Sequence, residues 1–146
     1  MLSLTGCVSS APGPAAVQDW MASETERLET RPGVVVVMTS KTEAGAAVDE
    51  AGSVSSTFAQ PTAVSRVEFQ CLGEGRMMAR VLLTTRDGGA MTTSGAEEGP
   101  LFCVGGTHVI SVAHLGGADA AVGVEVAGFE ADLSSAWSAA VIQDIP

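Results

Sequence analysis

The chain has 146 residues, a hydrophobic fraction of 46% and a formal net charge of −10, with a mean hydropathy of +0.30. That is length for one domain and apolar material for a real core. It holds only seven basic residues, no two adjacent, which speaks against nucleic-acid binding and against adsorption to an anionic membrane through a basic patch.

The first feature in chain order is Leu4-Thr5-Gly6-Cys7. It resembles a bacterial lipobox, with an aliphatic residue three before the cysteine and small residues next to it. The resemblance implies that the Cys7 sulfur receives a diacylglycerol group and that cleavage makes Cys7 the first mature residue. The thiolate is the nucleophile such a transfer needs. Only Met1-Leu2-Ser3 precede the box, without the basic and apolar regions of an export signal, so the true start is expected upstream. Val8-Ser9-Ser10-Ala11-Pro12-Gly13-Pro14 reads as a flexible tether. The expected organisation is a truncated lipoprotein signal and tether over residues 1–14, then a single disulfide-stapled β domain with an N-terminal helix over residues 15–146.

Residues 15–29 read as an amphipathic helix. Val17, Trp20, Met21 and Leu28 share one face, with Asp19, Glu24 and Glu26 elsewhere. Pro14 suits its first turn, and Arg31-Pro32-Gly33 stops it. Trp20 reads as a packing anchor.

From Val34 the signals turn to β. Residues 34–38 are short and β-branched. Residues 41–56 are expected to form a loop, with a weak edge strand near residues 46–48. In residues 65–71, Val67, Phe69 and Cys71 alternate with Arg66, Glu68 and Gln70, as in a half-buried antiparallel strand. Met77, Ala79, Val81 and Leu83 share a face of the next strand, and Asp87-Gly88-Gly89 turns the chain. Residues 95–100 are expected to loop, 101–104 to form a short strand and 107–115 a long one. Val122, Val124 and Val126 line a further strand. After a loop at residues 128–135, Trp137, Ala139 and Val141 line the last. Glycine turns at hairpin intervals predict a mainly β fold, an antiparallel β-sandwich or flattened barrel with one N-terminal amphipathic helix.

Three cysteines leave one over. Cys71 and Cys103 both fall in predicted strands, and export implies an oxidising compartment, so these two are expected to pair. Cys7 is then the leftover thiol that lipidation would use. Neither internal cysteine has the close spacing of a redox motif or a zinc thiolate pair. Cys71-Leu72-Gly73-Glu74-Gly75, Cys103-Val104-Gly105-Gly106 and a late Trp137, together with the lipobox, resemble small uncharacterised lipoproteins of high-GC Gram-positive bacteria. The resemblance implies an envelope lipoprotein with a β-sandwich and brings no activity or site residues with it.

Chemistry is sparse. No Gly-x-Ser-x-Gly elbow and no calcium loop occur. His108 and His114 fall in one predicted strand, too far apart to share a metal. Asp49-Glu50 and Glu97-Glu98 are sequence neighbours, which does not give the facing geometry of a glycosidase pair. Gly73-Glu74-Gly75 and Gly105-Gly106 are turns. No catalytic residue, metal ligand or cofactor is therefore assigned.

Three functional readings follow. The first is an exported, lipid-anchored protein on the extracellular face of the cell membrane, acting as a noncatalytic binding or interaction module with an envelope protein or glycan as partner. The second is a β-sandwich that binds a small ligand or glycan and needs an exposed aromatic among Trp20, Phe58, Phe102, Phe129 and Trp137. The third, less supported, is a hydrolase with His108 or His114 in a cleft.

Overall fold

The computed structural model describes residues 10–144. Cys7 and the first two residues of the predicted tether, Val8 and Ser9, lie outside the described residues. The helix α1 spans Pro14–Glu29, with Pro14 in its first turn and the Gly13 carbonyl accepting from the Val17 amide at 3.0 Å. Eight strands follow: β1 Val34–Thr42, β2 Ser53–Thr62, β3 Arg66–Cys71, β4 Arg76–Asp87, β5 Ala90–Phe102, β6 His108–Ser111, β7 Ala121–Phe129 and β8 Ser135–Ile142. They form two four-stranded sheets, ordered β1-β8-β3-β6 and β2-β7-β4-β5. All ladders between these strands are antiparallel. The fold is the sandwich expected from the turn spacing, with no closed barrel.

Alternation explains the inner faces. In β3, Val67, Phe69 and Cys71 are buried. In β4, Met77, Ala79, Val81 and Leu83 are buried, at 1% exposure or less. Every residue of β8 is buried, because α1 covers its outer face. Leu28 packs there on Ala140 and Ile142, with Val34 and Val37 alongside. The molecule is thus a helix, a sheet and a sheet in three layers.

Four local expectations are corrected. Residues 41–56 are not one loop: β1 runs on to Thr42 and β2 begins at Ser53, while residues 46–48 form turns rather than an edge strand. Residues 95–100 belong to β5, paired to β4 through a register shift at Met77/Ala79. Cys103 sits in a single 3₁₀ turn, Cys103–Gly105, beyond the strand end. The long strand at residues 107–115 stops at Ser111. Val112 and Leu115 instead turn inward toward the core, the Leu115 amide donating to the Val112 carbonyl.

Glu24 also departs from expectation. It lies seven residues after Val17 and four before Leu28, on the covered stripe of α1, and is buried with them. Its carboxylate accepts from the Ser138 hydroxyl at 3.2 Å and pairs with Arg27 at 2.6 Å. That hydrogen bond, the largest influence on it, raises the Arg27 guanidinium pKa above its ordinary value. Arg27 also reaches Gln70, and Arg31 pairs with Glu68 at 2.9 Å. A polar seam from α1 to β3 and β8 therefore runs beside the apolar contact. Truncation to Glu24→Ala, which strands the Ser138 hydroxyl in a buried site, should lower unfolding free energy by ~1–3 kcal/mol, measured by urea denaturation.

The Cys71 and Cys103 sulfurs are bonded, with Cα atoms 4.7 Å apart and a sequence separation of 32. The bond ties β3 of one sheet to the end of β5 in the other. Replacing both with Ala should cost about 3–4 kcal/mol on the chain-entropy account of a loop this long. Chemical denaturation of the oxidised protein against the double variant measures it, and equal stability would refute a structural role.

Candidate functional site

The two ends of the sandwich differ in what they carry. Strand directions put the β1–β2 loop, the β3–β4 turn, the Cys103–Gly105 turn and the β7–β8 loop at one pole. The chain enters the domain at that same pole. A Cβ on Gly73 would lie 3.7 Å from the Pro12 ring, in ordinary contact with it, so the tether runs across the β3–β4 turn. The opposite pole carries the β2–β3 loop, the β4–β5 hairpin tip and the β6–β7 loop.

The outer face of the β2-β7-β4-β5 sheet is open. Because Val81, Leu83, Val124 and Val126 point inward, their neighbours Leu82, Thr84, Gly123 and Glu125 point outward. Across the sheet, Ser55 lies opposite Glu125, Leu82 opposite Gly95, and Thr84 opposite Thr93. Of these, Ser55, Leu82, Thr84, Thr93, Gly123 and Glu125 line a shallow depression of about 350 Å³. The Ser53 and Ser55 hydroxyls donate to the Glu125 carboxylate at 3.0 and 3.4 Å, and Arg80 approaches it at 4.0 Å.

The depression runs on into a larger cleft of about 530 Å³ toward the far pole, the two sharing Thr57, Met91 and Val122. The cleft exists because β2 breaks register with β7 between Thr57 and Thr62. Phe58, Gln60 and Pro61 stand on one side, Arg86 and Met91 on the other, and Val122 lies in the floor. Among the described residues, Arg86 and Lys41 are the basic side chains without a carboxylate within 4.0 Å. The groove thus offers hydroxyls, one carboxylate, one free guanidinium and a few apolar contacts. It is fitted to hydrogen-bonding recognition, and neither histidine lines it.

The residues singled out from sequence are scattered. Cys71 and Cys103 are joined. Trp137 is fully buried, stacked on Phe69 with ring centroids 5.5 Å apart. Trp20 is half-buried on α1, on the sheet opposite the groove. Phe129 is buried, and Phe102 is 52% exposed near the entry pole. Of the aromatics considered, only Phe58 reaches the groove. Asp49 and Glu50 are exposed in the β1–β2 loop, and Glu97 and Glu98 on β5. Among the described residues, no cluster of three His, Cys, Asp or Glu could hold a metal.

The histidines do not share a strand. His108 opens β6 and His114 lies exposed in the turn beyond it. The His108 ring packs over Gly105, and its Nε2 donates to the Phe102 carbonyl at 2.8 Å. It is a strut for the turn holding Cys103. The groove itself was missed because β2 and the first half of β5 carry Ser, Thr, Gly and Ala without apolar alternation. No family model and no curated protein matches the chain.

The two histidines should separate on substitution. His108→Ala is expected to cost ~0.5–1.5 kcal/mol through the lost hydrogen bond, and His114→Ala to stay within ~0.5 kcal/mol of the parent. Paired urea melts measure both.

Proposed function

We propose that the chain is an exported envelope protein, anchored on the extracellular face of the cell membrane by lipid on Cys7, whose domain is a noncatalytic binding module. The observation that carries this reading is the polar arrangement of the domain. The tether enters at the Gly73 pole, while a cleft of about 530 Å³ opens between Phe58, Arg86 and Met91 toward the other. An anchor at one end would leave the groove facing outward to a partner. Two or three acyl chains hold a protein firmly without further contacts, so the groove stays available for recognition.

A small-ligand or glycan role for the same groove draws support from its hydroxyl lining. It lacks the indole platform such sites use, since Trp137 is enclosed and Trp20 lies on the other sheet. The partner favoured here is an envelope component bound through hydrogen bonds and the Arg86 charge. A hydrolase reading draws no support from His108, which is engaged as a strut.

Expressed behind a lipoprotein signal peptide joined at Cys7 in a lipoprotein-processing host, the protein should fractionate with membranes. Its N-terminal peptide should carry added acyl mass on Cys7. Cys7→Ser should release it to the soluble fraction. A membrane-bound protein with an unmodified Cys7 would contradict the anchor.

A further inference from the structure

Three of the four large apolar side chains that stand most exposed fall within residues 99–118: Phe102 at 52%, Val104 at 72% and Val109 at 56%. That segment contains no Asp, Glu, Lys or Arg, in a chain whose net charge is −10. The segment itself is uncharged, while exposed carboxylates, Glu74 in the β3–β4 turn and Asp49 and Glu50 in the β1–β2 loop, lie at the same pole.

The segment begins beside the tether. Pro12 lies over Gly73, two residues after Cys71. Cys71 is bonded to Cys103, which stands between Phe102 and Val104. The Cys103 amide donates to the Gly75 carbonyl at 2.9 Å, so the turn is fastened to the β3–β4 turn by hydrogen bond as well as by sulfur. The His108 ring braces it from behind. The turn is therefore rigid, apolar, uncharged and adjacent to the entry of the chain. Pro12 is five residues from Cys7, which spans at most about 18 Å when fully extended.

We infer that the turn Phe102-Cys103-Val104-Gly105 rests on the lipid surface in which Cys7 is anchored, with Phe102 and Val104 entering the interface. The inference rests on the anchoring reading above. The tether holds the turn at high effective concentration over the bilayer, so two apolar side chains suffice to orient a domain that is already attached. The contact is confined to the turn itself, because a carboxylate carried into the interface is repelled by anionic headgroups and costly to dehydrate, and the exposed Glu74, Asp49 and Glu50 of the same pole stay outside it. The contact fixes which way the domain stands: the Cys103 turn is down, and the cleft at Arg86 and Met91 is up.

The test uses the lipidated protein reconstituted in phosphatidylcholine vesicles carrying brominated acyl chains, with the acyl mass on Cys7 checked first. Val104→Trp places a reporter at the proposed contact, and Gln60→Trp places one at the far pole. The signal of the parent protein, from Trp20 and Trp137, is subtracted. Val104→Trp fluorescence should be quenched by the brominated lipid and Gln60→Trp fluorescence should not. Equal quenching at both sites, or none at Val104 while Cys7 carries its acyl chains, overturns the contact and leaves the anchor standing. An unmodified Cys7 overturns both. A Val104→Trp emission that shifts with protein concentration in the absence of lipid assigns the turn to a second copy of the chain, and also overturns it.

Discussion

The two sheets are joined at one end by a covalent bond set against an aromatic stack. Cys71 lies opposite Trp137 in the β3–β8 ladder, Trp137 stacks on Phe69, and the sulfur of Cys71 continues into Cys103 at the end of β5. This matters in a chain with few aromatics. A core of Ala and Val gains its stability from many small contacts, each costing little to lose. A large buried indole with a cross-link beside it fixes the spacing of the sheets where small side chains alone would leave it loose. Gly128 shows how tight that fit is. A Cβ there would come within 2.5 Å of the Trp137 ring and 2.9 Å of the Met77 sulfur.

Because this constraint lies at one pole, the ends of the sandwich are unequal. The stapled pole carries the bonded turns, the His108 strut and the entry of the chain. The other pole carries the hairpin tip at Gly88 and Gly89 and the stretch of β2 that departs from β7. Rigidity at one end and an open cleft at the other suit the proposed arrangement, in which the chain is held near its N-terminus and the cleft between β2 and the β4–β5 tip is turned away from the anchor. The proposed anchor, the proposed membrane contact and the proposed groove all use that asymmetry.

Legibility in the sequence followed burial. β3 and β4 could be read because one face of each is enclosed and the other is wet, so apolar and polar residues alternate. The cysteine pairing could be read from position and count. β2 and β5 are edge strands, exposed over most of their length, and their Ser, Thr, Gly and Glu content carries no period to read. The apolar residues after His108 looked like a continuous strand, but Val112 and Leu115 reach the core from a turn. Glu24 looked like a solvent-facing acid because its partners, Ser138 and Arg27, become neighbours only once the helix docks. The groove rests on the two edge strands and inherits their silence. Lipidation of Cys7 rests on four residues and gains from the fold only a consistent place for the chain to enter.

The central claim is that one pole faces the membrane and the other faces outward. Hydrogen exchange on the membrane-reconstituted lipidated protein, compared with soluble Cys7→Ser, tests it most directly. The account predicts slowed exchange confined to residues 72–75 and 103–106, with residues 59–61 and 88–91 unchanged. Slowed exchange at the hairpin tip and the β2 break, with the Cys103 turn unaffected, would contradict it.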